Sequence, residues 1–211
     1  MHKKNKSDQF IISRYSDRLK KFGVSPKTLG WDSKKNQNLR FERLINNIDL
    51  TNLSILDVGC GFADFLSLIL KKEIKIKNYT GIDINPNLIK KCKKKFPKYD
   101  FIVQNFKNFN SNTKFDIICL FGFINLKLKN IDNNRYGKNI IKQSFNLSKK
   151  FVAIDMLSNL YDHNYKKENF VNYYNPSDMI KYSSQLTSHF RLLHNYKSLP
   201  QREMLLILEK K

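Results

Sequence analysis

The stretch Ile55-Leu56-Asp57-Val58-Gly59-Cys60-Gly61-Phe62-Ala63-Asp64 decides how this chain of 211 residues is read. Three apolar residues and an acid run into Gly-x-Gly, and the apolar run Phe65–Leu70 follows. That order predicts a buried strand, a tight glycine turn and the first turns of a helix. In an open α/β sheet such a turn faces the crevice beyond the strand ends, where ligands bind. Glycine there permits unusual backbone angles and close approach of a ligand.

Outward from this stretch, strands and helices alternate. Strands are predicted at Ser54–Val58, Tyr79–Ile84, Phe101–Gln104, Phe115–Phe121 and Phe151–Met156, with helices from Ala63, Leu88 and about residue 130 between them. The near-continuous apolar run of Phe115–Phe121 suits a central parallel strand covered on both faces. A polar and aromatic loop follows from Ser158 to Asn175, then a helix from Pro176. Phe190–His194 and Met204–Leu208 read as an antiparallel pair joined by a turn at Ser198–Gln201. The pattern argues for a parallel-rich, doubly wound sheet. Before it, Phe10–Phe22 and a segment capped by Asp32 or Ser33 read as helices, with residues 1–9 expected to fray. The expected organisation is a helical N-terminal cap over 1–50 and one α/β domain over 51–211.

Composition narrows the class. The net charge is +21, yet 32 of the 39 basic residues are Lys and only seven are Arg. Asn, Ile, Phe and Tyr are abundant as well, a balance that AT-rich codons produce without selection for a polyanion. Arg is the better phosphate fork and it is scarce. A nucleic-acid partner is therefore possible but not favoured. Cys60, Cys92 and Cys119 are an odd number with no CxxC spacing, so neither a disulfide framework nor a metal site is expected. The polar N-terminus shows no signal peptide, and the apolar run Ile117–Leu126 is too short to span a membrane. These features suggest a cytoplasmic protein without a membrane partner; composition leaves its oligomeric state open.

The crevice residues exclude two nucleotide-binding patterns. A dinucleotide fingerprint needs G-x-G-x-x-G, and here Asp64 takes the last glycine position. A carboxylate there repels a pyrophosphate. A P-loop is excluded because no Gly-Lys-Ser/Thr follows. Asp83, 22 residues after Gly61 at the end of the second strand, can accept hydrogen bonds from both hydroxyls of a ribose. Its alternative use is to cap the helix before Pro86.

ILDVGCGFAD and YTGIDINP resemble the first two motifs of the class I S-adenosylmethionine-dependent methyltransferases. The resemblance runs from Ser54 to Lys211. It implies a Rossmann-like, mostly parallel seven-stranded sheet with an antiparallel last strand, and S-adenosyl-L-methionine as cofactor. By the resemblance Asp57, Gly59, Cys60 and Gly61 lie against the methionine part, Asp83 holds the ribose and Ile84 packs on the adenine. Asn105 and Phe106 flank the adenine edge, and Phe121 and Gly122 border the methyl group. The sequence departs from the family at Ala63, where a third glycine is usual, and at Asn105, where an acid is common. An amide oxygen can still accept from the adenine amino group. The flanks Tyr15…Gly30-Trp31…Arg40-Phe41, Ile124–Lys127 and His194-Asn195-Tyr196 resemble small bacterial methyltransferases of unassigned substrate. That second likeness implies that Arg40 pairs with the cofactor carboxylate, a task for a guanidinium fork; a solvated helix charge is the other reading of Arg40.

Methyl transfer from a sulfonium is a direct displacement, so alignment matters most and a base is needed only if the acceptor must lose a proton. No Asp/Asn-Pro-Pro-aromatic and no Pro-Cys follows the fourth strand, which marks down acceptors held by those motifs. Cys119, inside an apolar strand, reads as a buried small hydrophobe. The candidate catalytic residues are His194, Asp155 and Asn125. His194 titrates near neutrality and suits a base, and Tyr161, His163, Tyr173 and Tyr174 are further acceptor-side groups. The compact chain favours a small-molecule methyl acceptor; an RNA or protein acceptor, or a non-catalytic cofactor-binding protein, are the alternatives.

Overall fold

The computed structural model describes residues 6–160, 165–195 and 203–211. The strands form one seven-stranded sheet in the order β3-β2-β1-β4-β5-β7-β6. By its internal contacts the chain divides into units 1–110 and 111–211.

The first unit opens with α1 (Lys6–Phe22), a 3-10 turn (Pro26–Leu29) and α2 (Lys34–Ile45). Helix α1 begins at Lys6, so the frayed stretch expected up to residue 9 is already helical from there. Asp8 in the first turn and Lys20 and Lys21 in the last complement the helix dipole. Gly23, with φ of 62°, lets the chain leave the helix. The turn is clamped to α1: Arg18 Nε donates to Thr28 O at 3.0 Å, and Thr28 Oγ1 donates to Gly23 O at 2.6 Å. Ser33 caps α2 by accepting from Asn36 N.

Strand β1 (Ser54–Val58), α3 (Asp64–Lys71), β2 (Asn78–Asp83), α4 (Pro86–Lys95) and β3 (Asp100–Val103) complete this unit. β2 pairs in parallel with both β1 and β3. Ile55, Leu56 and Val58 are fully buried, as are Leu66 and Ile69 of α3. β2 ends at Asp83, one residue earlier than the sequence pattern suggested. Asn85 has an extended backbone, accepts from Asn87 N and caps α4, whose first residue is Pro86. The role of helix cap therefore falls to Asn85 and leaves Asp83 for other work.

The second unit holds β4 (Phe115–Phe121), α5 (Asn133–Leu147), β5 (Ser148–Leu157), α6 (Pro176–Ser184), β6 (Phe190–Leu193) and β7 (Glu203–Glu209). β4 and β5 are parallel; β7 runs antiparallel to both β5 and β6. Ile117–Leu120, Val152–Ile154 and Leu205–Leu208 are essentially free of solvent, as two covered faces require. The expected reversed final strand is present, and the turn Ser198–Gln201 lies outside the described residues. β5 is three residues longer at its start than expected, because Ser148 pairs with Phe115. Tyr174 is fully buried, with its hydroxyl donating to Ile124 O at 2.9 Å. It ties the loop after β5 to the loop after β4.

The packing around Gly81 in β2 is close. A Cβ there would lie 2.8 Å from Phe101 Cδ1 and 2.9 Å from Cys60 Sγ. Gly81→Ala is expected to lower unfolding stability by about 1–3 kcal/mol, the usual cost of overpacking. Urea denaturation of the two proteins would show it.

Candidate active site

The glycine loop is shaped by three left-handed residues: Gly59 at φ 72°, Gly61 at 56° and Ala63 at 55°. Two of them are glycine, for which that region costs little. Ala63 is the N-cap of α3 and holds the same conformation with a fully buried methyl. The loop is tied down from β2, since Gly59 N and Cys60 N both donate to Ile82 O, at 2.8 and 3.1 Å. From α4, Cys92 Sγ reaches Gly61 O at 3.1 Å, and its thiol meets that of Cys60. The side chain of Leu29 packs directly on Gly61, where a Cβ would come within 2.7 Å of it.

Three carboxylates surround this loop. Asp83 Oδ2 accepts from Gly61 N at 3.2 Å and Oδ1 from Asn85 N at 2.8 Å. Asp57, buried at the end of β1, accepts from the Tyr79 hydroxyl at 2.5 Å. Tyr79 is held by edge contacts with Tyr99 and Phe101. Asp64 meets α2: Lys34 Nζ lies 2.7 Å from Oδ1, and Gln37 Nε2 donates to Oδ2 at 3.1 Å. The sequence suggested only that Asp64 repels a phosphate; it also docks α2 onto α3. Burial drives the Asp57 pKa up to about 7, against the lowering effect of the Tyr79 hydrogen bond, with the charges of Asp83 and Asp64 adding to the rise. Burial likewise lifts Asp83 to about 6, although backbone N–H groups of Asn85, Gly61 and Ile84 pull it down.

The remaining sequence candidates of the first unit have the following surroundings. Ile84 follows Asp83 and is partly buried. Phe106 is buried and stacks on Phe109, with ring centroids 6.2 Å apart. Asn105 accepts from Lys107 N through its side-chain oxygen, and its Nδ2 donates to Asp8 Oδ1 at 2.8 Å. Arg40 is only 4% exposed and lies 4.5 Å above the Trp31 ring, with Nη1 donating to Asn36 O. It is not a solvated helix charge. Sequence reasoning missed Tyr79, Gln37, Asn85 and Asp8 as neighbours of the site. A Tyr at the start of the second strand and an Asn before Pro86 were visible, but nothing local paired them with Asp57 or with α1.

In the second unit, Phe121 pairs with Asp155 across β4 and β5, and Asp155 pairs with Leu205, which pairs with Leu193. One row across the sheet thus carries Phe121 and Asp155 and ends beside His194, the residue after Leu193. Gly122 N donates to Asp155 O at 3.2 Å. Asn125 Oδ1 accepts from Leu157 N at 3.1 Å, and its backbone oxygen accepts from Asn172 N. That side chain braces the end of β5. Tyr173 meets Tyr165 and accepts from Glu168 N. Tyr174, offered as an acceptor-side group, is instead a buried structural tie, because its hydroxyl serves backbone carbonyls. Tyr161 and His163 lie outside the described residues. Among the described residues no cluster of three or more metal-ligating side chains occurs, and no helix is long and apolar enough to cross a membrane.

The chain is similar to known proteins in family model, sequence and fold. Residues 55–142 match the family described as Methyltransferase domain. Over 158 residues the chain is 25% identical to protein 235L of Invertebrate iridescent virus 6, a methyltransferase by name; the match covers 69% of this chain and 58% of the viral one. The magnesium protoporphyrin IX methyltransferase ChlM of Synechocystis PCC 6803, solved with bound S-adenosylmethionine, superposes with a TM-score of 0.65 at 11% identity, covering both chains fully. The plantazolicin methyltransferase BpumL, solved with S-adenosylhomocysteine and a desmethyl substrate analogue, does so at 0.64 and 15% identity, over 97% of this chain and 98% of its own. The fold is that of the Rossmann-like class I methyltransferases. Residues 55–142 are thus similar to a methyltransferase domain, and the solved structures of like fold include methyltransferases with bound S-adenosylmethionine.

The raised acids set a pH signature. An Asp whose folded pKa lies above its unfolded value holds its proton longer in the folded state. Its ionisation therefore subtracts stability as pH rises from about 4 to about 7. Asp57→Asn, which keeps a partner for the Tyr79 hydroxyl, is expected to gain stability relative to wild type across that window. Urea midpoints at pH 4.5 and 7.5 measure the difference between the two proteins; a constant difference would contradict the assignment.

Proposed function

We propose that this protein transfers the methyl group of S-adenosylmethionine to a small-molecule acceptor. The observation that carries the reading is Asp83, set at the tip of β2 by backbone N–H groups of Gly61 and Asn85. Its carboxylate keeps acceptor capacity for a ribose hydroxyl. The ligand suits the cradle in charge as well: three carboxylates around the glycine loop oppose a phosphate and favour a cation. The cofactor supplies an ammonium and a methyl sulfonium. In our reading Asp57, Gly59, Cys60 and Gly61 line its methionine part, Ile84 and Phe106 its base, and Arg40 its carboxylate. Phe121 and Gly122 stand at the methyl group.

The displacement forms one bond from the acceptor lone pair to the methyl carbon and breaks the carbon–sulfur bond, leaving a neutral thioether. An acceptor that starts protonated must give up that proton, and we assign His194 or Asp155 to take it, with Asn125 as a positioning residue. Two observations support a small acceptor. The magnesium protoporphyrin and plantazolicin enzymes match this chain over nearly their full length. The basic surface is built from Lys with only seven Arg, the weaker choice for phosphate forks.

Asp83→Ala is expected to weaken binding of S-adenosylhomocysteine by about 1.5–3 kcal/mol, the cost of losing hydrogen bonds to a charged group. Calorimetry on the folded variant measures it, and unchanged affinity would remove the ribose assignment. Incubation with methyl-labelled cofactor and a fractionated cell extract tests the acceptor class. Label is expected in the low-molecular-weight fraction; label confined to RNA or protein would replace the small acceptor with that polymer.

A further inference from the structure

Asn85 is completely buried, and every polar atom of its side chain is bonded. Oδ1 accepts from Asn87 N at 2.9 Å, within the first turn of α4. Nδ2 gives one hydrogen to Ile12 O and the other to Ser16 Oγ, each at 3.1 Å. Ile12 and Ser16 stand one turn apart on α1, and Ser16 Oγ also takes Asn87 Nδ2 at 3.4 Å. Ile12 O demands a donor and Asn87 N an acceptor, so the amide has one orientation.

The backbone of the same residue has a second task. Asn85 N donates to Asp83 Oδ1 at 2.8 Å, a shorter bond than the 3.2 Å from Gly61 N to Oδ2. Of the N–H groups that lower the Asp83 pKa against burial, that of Asn85 counts most. Capping α4 needs only Oδ1, and Ser or Asp fills a cap about as well as Asn. Nothing in that task calls for the two bonds to α1. Those bonds hold the amide from a second element, at the residue whose extended backbone faces its N–H to the carboxylate. An amide released from them leaves buried N–H groups unpaired unless it turns, and residue 85 is then held by its cap bond alone.

We infer that Asn85 is a positioning residue for the cofactor: pinned between α4 and α1, it aims its N–H at Asp83 and passes the docking of α1 to the carboxylate that takes the ribose. The inference rests on the ribose assignment to Asp83 and adds a residue that acts through it. The other titratable and charged groups in this field are Asp57 at the end of β1, Cys60 in the glycine loop, and Tyr15 on α1 with Arg14 and Arg18 beside it. All of them stay in place in the Asn85 and Ser16 variants.

Calorimetry with S-adenosylhomocysteine, at a series of pH values on both sides of 6, tests the role. Asn85→Ser keeps a cap for α4 and is too short to reach α1. It is expected to weaken binding roughly tenfold, the worth of one hydrogen bond to a charged group. An Asp83 deprived of its main N–H donor ionises at higher pH, so the pH below which affinity falls should move up from its wild-type position. The shift between proteins is what counts, because Asp57 titrates in all of them. Ser16→Ala, altered on α1 alone, is expected to move both readouts the same way by less, and it carries the test if Asn85→Ser does not fold. In an Asp83→Ala background Asn85→Ser should cost nothing further, since its effect runs through that carboxylate. Unchanged binding by Asn85→Ser, weaker binding with an unmoved pH midpoint, or an equal loss in the Asp83→Ala background would make Asn85 a helix cap only and overturn the inference. Wild-type binding by Asp83→Ala would instead overturn the ribose assignment beneath it.

Discussion

The hydrogen bond from Gly61 N to Asp83 organises the first unit. It joins the loop after β1 to the tip of β2, and it can form only because Gly61 adopts a positive φ with no Cβ against Leu29. The second oxygen of Asp83 takes Asn85 N, and Asn85 in turn caps α4 and holds α1. One carboxylate thus fixes the glycine loop and the turn before α4, while the side chain beside it latches the N-terminal helix. Charge-assisted bonds of this kind are about twice as strong as neutral ones.

The framework around that junction was legible because it is local. An apolar run into Gly-x-Gly gives β1 and its loop, and the unbroken apolar Phe115–Phe121 gives a strand covered on both faces. Asn before Pro86 and Asn before Pro176 are helix-start signals that read correctly once the cap is placed one residue before the proline. What was not legible is every partnership between distant residues. Asp57 with Tyr79, Asp64 with Lys34 and Gln37, and Asn105 with Asp8 are separated by 22 to 97 positions. No periodicity reports such pairs. Arg40 illustrates the limit: its charge on a helix reads as solvated until Trp31 is found beneath it.

The N-terminal segment is bound to the first unit by two different means. Leu29 packs on Gly61, and α2 reaches Asp64 through Lys34 and Gln37. Helix α1 contributes Phe10, 38% exposed, and no fully buried residue. The 3-10 turn and α2 are therefore anchored at the glycine loop itself, whereas α1 is held at the strand ends by amide, hydroxyl and carboxylate groups. Segments held by few buried apolar contacts open at lower free energy than the core.

Charge explains why this glycine loop differs from one that holds a dinucleotide. Burial pushes Asp57 and Asp83 toward neutrality in pH, and the charges of Asp83 and Asp64 add to the rise at Asp57. A phosphate would add charge of the same sign to a cluster that already resists ionising. A cation does the opposite: it stabilises the ionised carboxylates and offsets the desolvation that raises them. Asp64 is already matched by Lys34, so the unmatched charge resides at Asp57 and Asp83, on the two strands that end at the loop. Tyr79 supports Asp57 with a single neutral hydrogen bond, which lowers its pKa without cancelling its charge. The cradle is left short of positive charge at the strand ends where a sulfonium nucleoside would bring it.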